Sequence, residues 1–249
     1  MGKSVARITR PAAVPRLHDG DRLDADEFLR RYAAEKRACA AELIGGVVRI
    51  TRTRVVRDGQ EMIVPPIDAL GHSEPHADLI TWLRVYAAHT PHTGAGGPAT
   101  TVLPSSATAV EPDAGLRILP EAGGRASIGA DGFIHGSPEL LLEISHTSTA
   151  RDLGEKRVAF EAAGVKEYIV WRTRDAALDW FVLKRKRYVP LVPHTDGSLR
   201  SAVFPGLWLD VPALIAGDMA RVLALLQQGT ASAEHAAFVA KLRKSAGRK

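Results

Sequence analysis

The apolar pattern of this chain changes period twice in quick succession. "PELLLEIS" (138–145) is a run of successive apolar positions interrupted by Glu143, which predicts an inner strand covered on both faces. Thr149 to Ala163 then spaces its apolar residues at helical intervals and meets Gly164, a natural helix stop. "KEYIVW" (166–171) returns to the pattern of a buried strand. A strand, a helix and a strand in that order predict a right-handed crossover between parallel strands.

The flanking pattern fills in the rest. Residues 1–20 read as an irregular arm, and a helix is predicted from about Asp24 to Ala40. "AELIGGVVRIT" reads as strand, Gly45-Gly46 turn and strand, and "RDGQEMIVPPIDALG" as a loop. A second helix covers "SEPHADLITWLRVYAAHT", with Ser73 as its cap and Pro75 in its first turn. The stretch 91–112 is rich in Gly, Pro, Ser, Thr and Ala and is expected to stay mostly irregular. "DAGLRIL" (113–119) is strand-like, and a hairpin excursion follows it. "LDWFVL" and "RYVPLVP" flank "KRKR" (184–187) as a hairpin with a solvated basic tip. A short helix from about Val211 and the amphipathic "DMARVLALLQQG" (218–229) close the pattern. The expected class is α/β, a central mixed β-sheet flanked by helices, with an arm at 1–20, one domain over 21–228 and a basic tail at 229–249.

Composition narrows the function classes. With 249 residues, 45% hydrophobic and 24% charged, the chain has the make-up of a globular domain with a substantial core. Its only cysteine is Cys39, which excludes a disulfide framework or a cysteine-rich zinc site within one chain. No apolar run is long enough to span a bilayer and "MGKSVARITRPAAVP" has no signal-type stretch, so no membrane partner and a cytoplasmic location are expected. The net charge of +5 is matched by the five cations of "KLRKSAGRK", leaving the rest of the chain neutral. The charge therefore says little about partners. The 218–229 helix is expected to pack on its own core, with pairing across a homodimer as the lesser expectation.

Candidate chemistry enters at Glu143. On a strand it shares a face with Glu139, Leu141 and Ser145, near the carboxyl end where open α/β sheets place ligands. A carboxylate there either stands in water past the sheet edge or meets a cation, because desolvating it alone costs several kcal/mol. In the helix that follows, Leu153, Lys156, Phe160 and Ala163 fall on one stripe, while Arg151, Glu155 and Arg157 point elsewhere. Lys156 thus lies on the packing face, where it either snorkels outward or meets the carboxylate. Thr149 and Asp152 have the spacing of a capping box, which would explain Asp152 structurally. Asp113 opens the strand "DAGLRIL"; if that strand pairs beside 139–145, Asp113 and Glu143 can share one hard cation, and otherwise Asp113 is a turn former after Pro112.

The succession "EPD" (111–113), "PELLLEIS" (138–145), "DLGEK" (152–156), "AAGVKEYIVW" (162–171) and "FPGLWLD" (204–210) resembles the Uma-two family of restriction-endonuclease-like proteins, within the PD-(D/E)XK nuclease superfamily. "DRLDADEFLRRY", "AELIGGVV" and "EPHADLITWLRVYAAHTP" extend the likeness upstream, so that it spans roughly 20–228. The resemblance implies the restriction-endonuclease-like fold and an endonuclease that hydrolyses nucleic-acid phosphodiesters, DNA foremost, with Mg²⁺ or alternatively Mn²⁺. It implies Asp113, Glu143 and the carbonyl of Ile144 as metal ligands, and Asp113, Glu143 and Lys156 as the catalytic set. The superfamily's lysine usually sits two residues after the glutamate, where this chain has Ser145, and Lys156 looks like its migrated replacement. Glu42, His76 and Asp152 are candidate accessory residues; an edge-strand charge, a packing histidine and a helix cap are their structural alternatives. A module that keeps the fold, binds nucleic acid or regulates, and has lost the chemistry is the competing expectation.

Overall fold

The computed structural model describes residues 14–34, 40–51, 54–57, 60–63, 69–104 and 108–248. In chain order, α1 (Ala25–Ala34) precedes the hairpin of β1 (Ala40–Ile44) and β2 (Val47–Thr51), and a second hairpin of β3 (Arg54–Arg57) and β4 (Gln60–Ile63). A π-helical turn (Ala69–Ser73) runs into α2 (Glu74–His89). Four short strands follow: β5 (Thr93–Gly96), β6 (Thr101–Val102), β7 (Ala109–Val110) and β8 (Ala114–Ile118). The excursion hairpin is β9 (Ala126–Ile128) and β10 (Ile134–Gly136), and β11 (Leu140–Ser145) is the inner strand. The crossover is one helical run, α3 (Thr149–Arg151), a π-helical turn (Asp152–Lys156) and α4 (Arg157–Ala163). It leads to β12 (Glu167–Arg172), β13 (Ala177–Lys184), β14 (Arg187–Pro190), β15 (Leu199–Arg200), β16 (Trp208–Leu209), α5 (Val211–Ile215), α6 (Met219–Thr230) and α7 (Ala233–Ala246).

The architecture is mixed α/β. The mixed sheet that holds β11 has the order β14-β13-β12-β11-β8-β5, with β11 and β12 parallel and the other pairs antiparallel. A second six-stranded mixed sheet, β2-β1-β7-β6-β10-β9, accompanies it, where the sequence pattern suggested one. Gly45 and Gly46 both have positive φ, which makes the tight turn from β1 to β2 possible.

Alternation along β11 divides the core. Leu140, Leu142 and Ile144 pack with Leu79, Trp82, Leu83 and Tyr86 of α2 and with Val222 and Leu226 of α6. Leu141 faces the other way, into a cluster with Phe160 of α4, Tyr168, Val170 and Ile44 of β1. A third cluster, with Leu17, Phe28, Leu43 and Val48, closes the second sheet under α1. Every residue of β11 is buried, Glu143 and Ser145 included, as expected of an inner strand covered on both faces.

Several expectations need correction. Ser73 does not cap α2: its backbone is already helical and its hydroxyl bonds nothing in the helix, because the π-helical turn starts the helix earlier. The supposed loop after Arg57 includes β4. The stretch 91–112 contains β5, β6 and β7, since short side chains still permit ladder pairing with β8, β10 and β1. The stretch expected as a basic tail contains α7, capped by Ser232 and anchored by buried His235 and Leu242. Residues 35–39, the end of the first expected helix with Cys39, lie outside the described residues, as does 1–13 of the arm. Among the described residues no helix is long and apolar enough to cross a membrane.

Candidate active site

The register of β8 against β11 governs the site. Leu140 pairs with Leu116, Leu141 with Gly115 and Leu142 with Ala114. One step further along both strands puts Asp113 opposite Glu143. The Asp113 carboxylate continues the ladder itself, accepting the Ile144 N–H at 2.6 Å. Its other oxygen lies 3.1 Å from Nε2 of His72, and its backbone carbonyl 2.8 Å from Nε2 of His76. His72 and His76 are one helical turn apart across the join of the π-helical turn and α2, and their rings stack at 5.9 Å.

Glu143 meets the crossover helix. Lys156 Nζ donates to Glu143 at 2.9 Å and pairs with Glu42 Oε1, also at 2.9 Å. Asp152 Oδ1 lies 4.0 Å from the same ammonium. Asp152 and Lys156, four residues apart at the two ends of the π-helical turn, share a face and are both buried, while Glu155 between them pairs with Arg49 on β2. Asp152 is not part of a capping box. Its carboxylate accepts the Ser148 hydroxyl instead of a helix N–H, and the Thr149 hydroxyl accepts from Ser145. Ser145, where the superfamily lysine would stand, is thus occupied in the turn before the helix. Glu42, on β1, also accepts the Glu111 N–H at 3.0 Å, so the second sheet contributes a carboxylate.

Charge is the notable property. Three carboxylates, those of Glu42, Glu143 and Asp152, lie within 4.0 Å of one buried ammonium, and that of Asp113 stands across the ladder from Glu143. Burial raises the Glu143 carboxyl well above its ordinary value, against the pull of Lys156, and Asp113, Asp152 and Glu42 push it the same way. Burial raises Asp152 too, opposed by Lys156 and Ser148. Burial alone would depress Lys156, but its acidic neighbours, Glu143 first, outweigh that and keep it an ammonium ion. For Asp113 burial acts upward, yet the His72 and Ile144 hydrogen bonds win and hold the carboxyl below the ordinary range. The Asp113 contact in turn raises His72.

These carboxylates are hard oxygen donors of the kind a hard divalent ion takes, although Lys156 and Arg151 already pair with three of them. Asp152 Oδ1 points the same way: it is buried without a hydrogen bond. Among the described residues, no three His, Cys, Asp or Glu side chains are gathered as a ready-made metal cage. An ion here would therefore draw on Asp113, Glu143, the Ile144 carbonyl and retained waters.

The residues expected from the sequence converge: Asp113, Glu143, Lys156, Glu42 and Asp152 form one cluster, and His76 braces the Asp113 backbone. Sequence reasoning missed two neighbours. His72 falls between the expected loop and the expected helix, and only its four-residue spacing from His76 signals it. Arg151 was assigned outward, but its guanidinium comes within 4.0 Å of both Glu42 and Asp152.

Among curated proteins, none matches the chain. A crystal structure from Anabaena variabilis ATCC 29413, described as a putative nuclease belonging to DUF820, is similar at 12% identity over 78% of this chain and 98% of its own, with a TM-score of 0.49. The family model Uma2, "Putative restriction endonuclease", matches residues 25–212. With most of its length matched, including the strands that carry Glu42, Asp113 and Glu143 and the helix that carries Lys156, the chain belongs to the Uma2 family.

Proposed function

We propose that this protein is a Mg²⁺-dependent endonuclease that hydrolyses phosphodiester bonds of nucleic acid, with Asp113, Glu143 and Lys156 as its working residues. The observation that carries this reading is the pairing of a buried Glu143–Lys156 contact at 2.9 Å with an aspartate directly across the ladder. Asp113, Glu143 and the Ile144 carbonyl would hold the ion, which when bound supplies a water of lowered pKa and a counter-charge to the phosphate. His72 and the Ile144 N–H orient the Asp113 carboxylate, and its depressed pKa keeps it ionised as a ligand. Lys156 pulls against the burial that raises the Glu143 carboxyl and adds positive charge beside the attacked phosphate. Glu42 and Asp152 fix the ammonium in place. Mn²⁺ would serve the same ligands, and the reaction suits a cytoplasmic protein acting on DNA.

Purified protein incubated with plasmid, single-stranded DNA and RNA in Mg²⁺ or Mn²⁺ tests the proposal, with Asp113→Ala as control. Equal trace activity in the two proteins on every substrate removes it. A second reading, a nucleic-acid-binding or regulatory module without chemistry, draws on the Lys156 side chain being only 3% exposed and already paired with two carboxylates. Binding that persists in chelator with no cleavage in any metal would favour it, and the salt dependence of affinity would count its phosphate contacts.

A further inference from the structure

A cavity of about 350 Å³ opens beside the carboxylate cluster. Its floor is the same face of the same sheet. Leu141, Gly115 and Gly96 stand in one row across β11, β8 and β5, next to the row that holds Glu143 and Asp113. The two rows are about 7 Å apart, two residues along a strand. Two of the three floor positions are glycine, so the floor is flat. A Cβ added at Gly96 would meet nothing within 4 Å, and its φ is not in the left-handed region. Neither packing nor backbone conformation thus demands glycine there; what its absence of a side chain preserves is open space in the cavity.

The remaining lining is apolar apart from Thr101 and one cation. Ile134 and Pro138 form walls, and Ile128, 60% exposed, stands at the rim. Arg117 lies in the next row, its guanidinium carbon 3.2 Å from where a Gly94 Cβ would sit. Among the described residues Arg117 has no hydrogen-bonding or ionic partner. A flat apolar floor suits an aromatic ring, and an unpaired guanidinium suits a phosphate or stacks on a base. The volume is that of a pocket for one small ligand, not for a stacked base pair.

We propose that this cavity receives one unpaired nucleotide of the strand being cut, its base on the Leu141–Gly115–Gly96 floor and its phosphate against Arg117. The nucleotide comes either from a single strand or from a duplex that releases a base, at the lower cost that a mismatch allows. This inference rests on the nuclease reading of the adjacent cluster, and it assigns a role to the glycine-rich stretch 92–97.

Fluorescence anisotropy without divalent metal tests it, using labelled single-stranded DNA, a matched duplex and the same duplex with one mismatch. Wild type is expected to bind the single strand and the mismatched duplex at least tenfold more tightly than the matched duplex, and Gly96→Leu and Arg117→Gln to erase that preference. Thermal melting checks that both variants fold, and Arg117→Gln, on a half-buried side chain, provides the test if Gly96→Leu does not. Preference for the single strand alone assigns the site to single-stranded substrates; preference shared by the mismatched duplex assigns it to released bases as well. Affinities in both variants equal to wild type, or a wild-type preference for matched duplex, overturn the inference. Adding Mg²⁺ separates it from the nuclease reading. Cleavage that Asp113→Ala abolishes but both cavity variants retain on all substrates leaves the nuclease and removes the cavity site. A binding preference that Gly96→Leu erases, with no cleavage by wild type, keeps the cavity site and removes the nuclease.

Discussion

Two glutamates on neighbouring parallel strands are buried to a similar degree and solve the problem differently. Glu167 opens β12 and is fully buried, yet its hydrogen-bond partners among the described residues are neutral: the Ser201 hydroxyl and the Ala202 N–H each reach it at 2.6 Å. Burial pushes its carboxyl up to about 7. It ties the 201–204 turn to the sheet. Glu143, near the other end of β11, is set among charges instead, one ammonium and three further carboxylates. Neutral donors suffice to hold a structural carboxylate. Acids gathered in the core around Lys156 and Arg151, with Asp113 held by His72, are costly to desolvate, and such an arrangement marks a candidate site more than a strut of the sheet.

If that contrast is right, activity and stability should separate at the two sites. Asp113→Ala or Glu143→Gln is expected to lower cleavage by about 10³-fold or more, the several kcal/mol of transition-state stabilisation that a lost metal ligand represents. Glu167→Gln should leave cleavage unchanged when the variants are compared at a temperature where all are folded. Steady-state rates on one plasmid substrate would decide, and a rate loss at Glu167 equal to that at Glu143 would erase the distinction.

Stability should respond most at Lys156. Lys156→Met leaves buried carboxylates unpaired and is expected to cost about 3–5 kcal/mol in denaturant unfolding. The sign with pH follows from Glu143. Its folded pKa is raised, so the folded state holds a proton more tightly than the unfolded one. The penalty is then absent below the ordinary glutamate range and grows as pH rises through it. Lys156→Met should accordingly look nearest to wild type in acid, and adding Glu143→Gln should recover part of the loss at neutral pH.

Glu167 offers the same linkage with neutral partners. Its pKa is raised from 4.5 to about 7, so its contribution is fully present below 4.5, declines between 4.5 and 7 and is gone above. That interval corresponds to about 3 kcal/mol. Urea titrations at pH 4.5 and 8 should show this loss in wild type and a correspondingly flatter profile in Glu167→Gln. Parallel profiles would mean that the turn at 201–204 relaxes to admit water when Glu167 ionises.

Much of this was legible in the chain. The apolar run of β11, broken only by Glu143, announces a strand covered on both sides, and the helical stripe of Leu153, Lys156 and Phe160 turns the lysine inward. The Asp113–Glu143 pairing was legible only conditionally, because strand register is a long-range property that local pattern does not contain. Asp152 needed no special geometry to join Lys156 inside: four residues earlier, it shares that lysine's helical face, and the capping reading hid this. His72 was hidden because the π-helical turn that starts its helix carried no capping signal. The glycine-rich 92–97 read as irregular because ladder pairing needs backbone, not side chains.

The smallest expected effect sharpens the comparison within a single turn of helix. Glu155 precedes Lys156 by one residue but faces outward, with Arg49 NH2 at 2.6 Å and side-chain exposures of 46% and 33% for the acid and the base. The Arg49 contact holds the Glu155 carboxyl below its ordinary value, yet water screens such a pair, and exposed pairs are worth about 0.2–1 kcal/mol. Glu155→Ala should therefore cost less than about 1 kcal/mol, weaken further in high salt, and leave cleavage intact. Unfolding titrations of Glu155→Ala and Lys156→Met in low and high salt would measure both. A Glu155 effect as large as that of Lys156 would mean that the contact between β2 and the crossover helix, and not the buried ammonium, holds the helix against the sheet.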